Sequence, residues 1–130
     1  MLKTVSIRTA NADTTTGAVT GINVDISDAK KVGILLRVAA HTSGNTVFTV
    51  KGSMENLDLS PAFLAINTLI TNTANTNAQM PTRVASVTVS SAVDTFLWLD
   101  DFALLNMLQV NYNTTTDGAV TIFILKQIEE

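Results

Sequence analysis

The chain has 130 residues, enough for one domain (residues 1–130) with a true hydrophobic core. Charged residues make up 15% and the formal net charge is −3, so the basic footprint of a nucleic-acid binder is missing. With no Cys and one His there is no disulfide, no thiolate chemistry and no transition-metal set, and no stretch reaches the ~20 apolar residues of a membrane span.

Hydrophobic residues are 46% of the chain, and Thr, Asn and Ser supply the polarity that charge does not. Thr suits a pleated surface, whereas Asn and Ser favour the turns between strands, so the mixture points to an all-β chain. A weakly charged surface also has little electrostatic protection against association. The N-terminal residues lack the apolar core of a secretory signal, and a soluble protein without a leader is expected.

In chain order, residues 2–8 alternate weakly and predict a first strand at a sheet edge. Residues 9–20 read as a loop of small residues. Ile22, Val24 and Ile26 alternate with polar neighbours as a second strand. Residues 32–53 form the organising stretch. Val32, Ile34, Leu36 and Val38 fall on one side, a His41-Thr42-Ser43-Gly44-Asn45 break follows, and alternation resumes through Val50. That pattern predicts a β-hairpin with a loop of about five residues.

Residues 60–82 contain no charged residue until Arg83. Ser60-Pro61 suits a helix start, but the β-rich context favours a strand over residues 65–71, followed by a long loop over residues 72–81. Residues 84–90 alternate, residues 91–94 turn, and Thr95 to Leu99 read as a short apolar strand. Leu108, Val110 and Tyr112 lead into a polar turn ending at Asp117-Gly118, and Val120, Ile122 and Ile124 return as the second arm of a second predicted hairpin. About eight antiparallel strands at this spacing predict a β-sandwich, jelly-roll-like, with no internal repeat.

No catalytic signature emerges. His41 and Ser43 with a remote Asp lack the spacing of a triad and read as loop residues. Asp94, Asp100 and Asp101, and likewise Asp25 and Asp28, are oxygen-rich enough for calcium in principle, but without a calcium-loop spacing they read as turn-forming carboxylates. Paired acids for glycoside hydrolysis would need two of these to converge in a cleft. Trp98 and Tyr112 are the sole Trp and Tyr; core or interface packing is favoured over stacking on a sugar. Asn113-Thr114-Thr115 matches a glycosylation sequon and reads as a turn. The Thr triplets at 14–16 and 114–116 are too few for a regular ice-binding array. No cofactor is expected.

Phe48-Thr49-Val50-Lys51-Gly52-Ser53 resembles the strand that precedes a turn in many phage and adhesive β-sandwich modules, and the Leu69 to Gln79 run followed by Thr82 to Val87, and Thr115-Thr116-Asp117-Gly118 before a final strand, are similar to segments of small tailed-phage virion proteins. The resemblance spans residues 32–125, with Met54-Glu55-Asn56-Leu57-Asp58 where that family has Asp-Gly-Thr-x-Trp. It implies a non-enzymatic structural protein located in the virion, a capsid decoration (cement) protein or a tail or head-fibre variant. The implied partners are the major capsid protein or other virion proteins and further copies of the chain, a trimer being one closed form, with neither nucleic acid nor membrane involved. The uncharged stretch supplies the candidate partner contacts, Phe63, Leu64, Ile66, Leu69, Ile70, Asn72, Asn75, Asn77 and Gln79. The competing expectation is a carbohydrate-binding or adhesion β-sandwich module, which needs Trp98 or Tyr112 exposed beside amide or carboxylate groups.

Overall fold

The structure, a computed structural model, describes residues 1–54, 64–65, 69–73, 82–84, 86–99 and 105–129, of which 64–65, 69–73 and 82–84 are described by backbone alone. These residues form twelve strand segments: β1 (Leu2–Asp13), β2 (Gly17–Val19), β3 (Val24–Asp25), β4 (Ala29–Ala39), β5 (Thr46–Ser53), β6 (Leu64–Ala65), β7 (Leu69–Thr73), β8 (Thr82–Val84), β9 (Ser86–Val89), β10 (Val93–Leu99), β11 (Met107–Thr114) and β12 (Ala119–Glu129). Six form one sheet in the order β1-β12-β4-β10-β7-β8. The second sheet runs β2-β11-β5-β6, with β3 also paired to β11 and β9 to β5. Every pairing is antiparallel, and the expected all-β sandwich is present.

Alternation decides which side chains meet between the sheets. From the six-stranded sheet, Ile34, Leu36, Leu97, Val120, Ile122 and Ile124 point inward and are almost wholly buried. Phe48, Val50, Leu108, Val110 and Tyr112 face them from the second sheet, with the Phe48 and Tyr112 rings 6.2 Å apart at a 40° tilt. Each of these side chains contributes roughly 1.5–3 kcal/mol on burial, so the inner faces supply the driving force for the sandwich. One polar contact sits among them: the buried hydroxyls of Thr46 and Thr114 pair at 3.0 Å.

Both predicted hairpins are overturned. β4 pairs with β12 and β10, whereas β5 belongs to the other sheet and pairs with β11, β9 and β6. Residues 40–45 therefore form an arch that carries the chain across the core, and residues 115–118 do the same between β11 and β12. Local alternation is identical in a hairpin and an arch, because both require each arm to bury one face. Only the partner differs: hairpin arms lie side by side with buried faces pointing the same way, while arch arms face each other.

Two further boundaries differ from expectation. The first strand does lie at an edge, but it continues through the predicted loop to Asp13, past register shifts between Arg8 and Ala10 and between Ala10 and Asp13. These bulges break the period that the pattern follows, so the strand's second half is invisible to it. The strand expected from Ile22 to Ile26 shortens to β3, with Ile22 exposed while Val24 and Ile26 are buried. Near the other end, β10 begins at Val93, where a turn is expected, because Val93 and Asp94 pair with Val38 and Arg37.

The arches cluster at one end of the sandwich and are tied together by short polar side chains. Asp117 is the centre of the tie: its carboxylate accepts from the Thr42 amide at 3.0 Å, the Ser43 amide at 3.2 Å and the Thr42 hydroxyl. Asn45 and Thr115 exchange backbone and side-chain hydrogen bonds. The Thr16 hydroxyl donates to the Thr116 carbonyl, which joins the turn after β1 to the same cluster. The two Thr triplets of the sequence thus meet as the clasp of neighbouring arches.

Candidate contact surface on the six-stranded sheet

The antiparallel register sets out the outer face of the six-stranded sheet row by row. One row runs Arg8, Phe123, Leu35, Phe96, with Asn72 next in register on β7. The adjacent row runs Ser6, Leu125, Gly33, Trp98, with Ile70 next on β7. A pleated strand sends alternate residues to opposite faces, so the side chains contributed by β1, β12, β4 and β10 share the side away from the core. Phe96 is 51% exposed, and Leu35, Trp98, Phe123 and Leu125 are half-buried. An aromatic and aliphatic patch of this kind marks an interaction surface more often than bare solvent-facing sheet does.

Charge is present at the patch, with Arg8 at the end of the first row, Lys30 and Lys31 lining the groove by the second, and one matched pair. Arg37 lies beside the first row and donates to Asp94 through two parallel bonds, Nε to Oδ1 at 3.0 Å and Nη2 to Oδ2 at 3.1 Å. Below the second row, Gly33 leaves a notch that opens into a groove of about 600 Å³, lined by Trp98, Leu125, Thr4, Gln127, Lys30 and Lys31 among others. Gly33 is not needed there by the fold: its φ is not positive, and an added Cβ would meet nothing nearer than the Leu97 carbonyl at 3.6 Å.

The outer face of the second sheet has a different chemistry. Val47, Thr49 and Lys51 on β5 lie across from Asn113, Asn111 and Gln109 on β11. Amides link along this face, with Gln109 donating to Asn23 at 3.0 Å, Asn111 to Gln109 at 3.1 Å, and the Gly21 amide to Asn111 at 2.8 Å. The molecule therefore presents one apolar and one amide-rich sheet face.

The residues singled out in the sequence fall as follows. Phe63, Ile66, Asn75, Asn77 and Gln79 lie outside the described residues, as do Asp100 and Asp101. Leu64 is on β6, opposite Gly52; Leu69, Ile70 and Asn72 are on β7, opposite Leu99, Trp98 and Phe96. Part of the uncharged stretch is thus the strand bordering the aromatic rows. His41 packs in its arch with Nδ1 3.4 Å from the Asp117 carbonyl. Asp25 accepts from the Ser27 amide and hydroxyl, which holds its carboxyl below the ordinary range, and Asp28 accepts from Lys126 at 2.7 Å.

Tyr112 and Trp98 separate. Tyr112 is buried, and its hydroxyl donates to Asp13 at the end of β1; burial and that neighbouring carboxylate push the phenol's pKa up. Asp13 is held low by the Thr15 hydroxyl, then by Tyr112 and the Thr15 amide. Trp98 instead faces outward beside the Gly33 notch. Sequence reasoning missed Phe96, Phe123 and Gly33 as surface residues. The signal was available: the residues alternating with a buried set must themselves be outside, and here several of those are large and apolar.

Over 98% of this chain and 95% of the other, the fold is similar to the crystal structure of YomS, a protein derived from the SPBc2 prophage, with a TM-score of 0.63 at 13% sequence identity. A second solved structure, from Bacillus endospore appendages that form disulfide-linked pili, aligns over 98% of this chain and 84% of that one with a TM-score of 0.43 at 15% identity. No protein-family model and no curated protein matches the chain.

Proposed function

We propose that the chain is a non-enzymatic structural protein of a tailed-phage virion, specifically a capsid decoration (cement) protein that bridges neighbouring capsid subunits. The observation that carries this reading is the outer face of the six-stranded sheet, where two adjacent cross-strand rows place Leu35, Phe96, Trp98, Phe123 and Leu125 side by side. A broad sheet face of fixed shape is suited to lying against another protein. The near full-length likeness to a prophage-derived protein supports the phage setting. The partners are the major capsid protein or other virion proteins together with further copies of the chain. With no Cys, the copies are not held by disulfides. Repetition over a shell lets individually weak contacts add up. The deciding measurement is mass spectrometry of purified particles. Many copies per particle are expected, and finding the chain only in the free fraction overturns the reading.

A sugar-binding adhesion module is the second reading. Trp98 in a groove beside Gln127 and Thr4 favours it, whereas the buried Tyr112 does not contribute. Binding on a glycan array that disappears in Trp98→Ala would establish it, and an array without signal removes it.

A further inference from the structure

We propose that the groove at Gly33 binds an acidic sugar, a glycan whose ring carries a carboxylate. This rests on the sugar-binding reading of that groove and is compatible with the capsid reading.

The register builds the groove from two neighbouring rows. The first is apolar: Leu125, Gly33 and Trp98 stand side by side on β12, β4 and β10. Neighbouring strands lie ~4.8 Å apart, so Leu125 and Trp98 are set ~10 Å from each other with no side chain between them. Even a Cβ added at Gly33 would meet nothing nearer than the Leu97 carbonyl at 3.6 Å, so the gap above that residue is open. Its floor and walls offer a sugar ring an apolar slot with an aromatic on one side, the surface on which the C–H face of a ring packs. The next row is polar. Two residues along each strand, Thr4, Gln127 and Lys31 stand in register on β1, β12 and β4. A hydroxyl, an amide and an ammonium thus border the slot ~7 Å away, and with Lys30 they line the same groove of about 600 Å³.

Charge selects the class of sugar. Among the described residues Lys30 and Lys31 have no carboxylate partner. Their neighbours are matched: Asp28 holds Lys126 at 2.7 Å, and the Met1 amino group holds Glu129, two residues beyond Gln127, at 3.2 Å. The whole chain carries −3, so two unmatched cations beside one apolar slot are a local feature. A neutral sugar would leave both ammonium groups without a counter-charge. A ring carboxylate accepts from them in charge-assisted hydrogen bonds, which are stronger than neutral ones. A nucleotide phosphate fits less well. β4 and β12 are each paired on both sides, which leaves their backbone N–H groups in ladders, and the described residues lining the groove form neither a glycine-rich loop nor a helix N-terminus.

Trp98 is the sole Trp, so its fluorescence reports on the groove directly. The purified full chain is titrated with short oligomers of galacturonic, glucuronic and mannuronic acid, with the methyl ester of each, and with polyglutamate. At least one acidic oligomer is expected to change Trp98 emission saturably, and its ester to bind roughly 10-fold or more weakly, the scale of one charged hydrogen bond. Lys31→Glu is expected to weaken binding to a similar degree, whereas Lys51→Glu, an equal charge change on the other sheet, leaves it unchanged. Gly33→Val fills the slot from its own strand and is expected to abolish binding, with circular dichroism confirming that each variant is folded. Polyglutamate binding as tightly as the acidic oligomer, Lys51→Glu weakening binding as much as Lys31→Glu, or an unaffected Gly33→Val each overturns the proposal. An ester that binds as tightly as its acid removes the acidic class and leaves the sugar reading standing, whereas no binding by any oligomer removes both.

Discussion

At the scale of single residues, the arch end is governed by Asp117. The Thr42 hydroxyl, then the Thr42 and Ser43 amides, stabilise its charged form and draw its pKa down from 3.8 to about 2. A carboxyl with a depressed pKa in the folded state adds stability that is complete above its unfolded value and is lost as pH falls through the folded one. Stability is therefore expected to be level above about pH 5 and to fall between about pH 4 and pH 2, with Asp13 adding to the loss in the same direction. Asp117→Ala is expected to lower the thermal midpoint at pH 7 and to flatten that acid limb, which thermal melts across pH would show. A second residue makes the opposite prediction. Among the described residues the buried Thr9 hydroxyl has no hydrogen-bond partner. Thr9→Val keeps the shape and removes the unsatisfied group, so a gain of about 1 kcal/mol is expected in denaturant titration. An unchanged midpoint would count against the hydroxyl's isolation.

At the scale of elements, the glycines of β4 and of the arch that follows behave oppositely. Gly44 has φ +77°, and a Cβ there would collide with the hydroxyls of Thr115 and Thr116 in the neighbouring arch. Gly44→Ala is expected to cost about 1–3 kcal/mol, through strain in its own arch and displacement of the next. Gly33→Ala, in ordinary strand geometry with room for the methyl, is expected to stabilise the isolated fold by about 0.5–1 kcal/mol. Equilibrium unfolding of both variants checks the pair, and equal effects would refute the contrast. Element lengths held a clue to the pairing that alternation does not. β4 and β12 each have 11 residues and pair along nearly their whole length, as do β5 and β11 with 8 each. The break after Ala39 carries no tight two-residue turn and bends at Ala40 with φ +52°, which suits a chain leaving its sheet.

At the scale of the molecule, the core is shared between two sheets that the chain crosses repeatedly, so a core truncation loosens both. Ile34 and Leu97 are 0% and 1% exposed and face the second sheet from β4 and β10. Leu97→Ala is expected to cost about 2–5 kcal/mol, whereas Phe123→Ala on the outer face should cost far less in the monomer. Chemical denaturation of the two variants measures the difference, and comparable losses would mean that the outer face is structurally indispensable. Inner residues hold the sandwich, and the outer aromatic rows lie away from that core.

The sequence by itself determined the all-β class, the inward face of most strands and the edge position of β1, because those follow from the period-two pattern and from Thr, Asn and Ser propensities. Val32, Ile34, Leu36 and Val38 are buried as their spacing requires. Only the tertiary structure decided which strands are neighbours. Pairing depends on registers between residues dozens of positions apart, such as Phe48 with Tyr112 and Ile34 with Ile124, and no local pattern encodes them. For the same reason it turned both hairpins into arches, assigned Asp117 to the loop of another strand, and placed Phe96 one step from Gly33. A side chain's direction is written in its neighbours along the chain, but the surface it helps to build is written across strands.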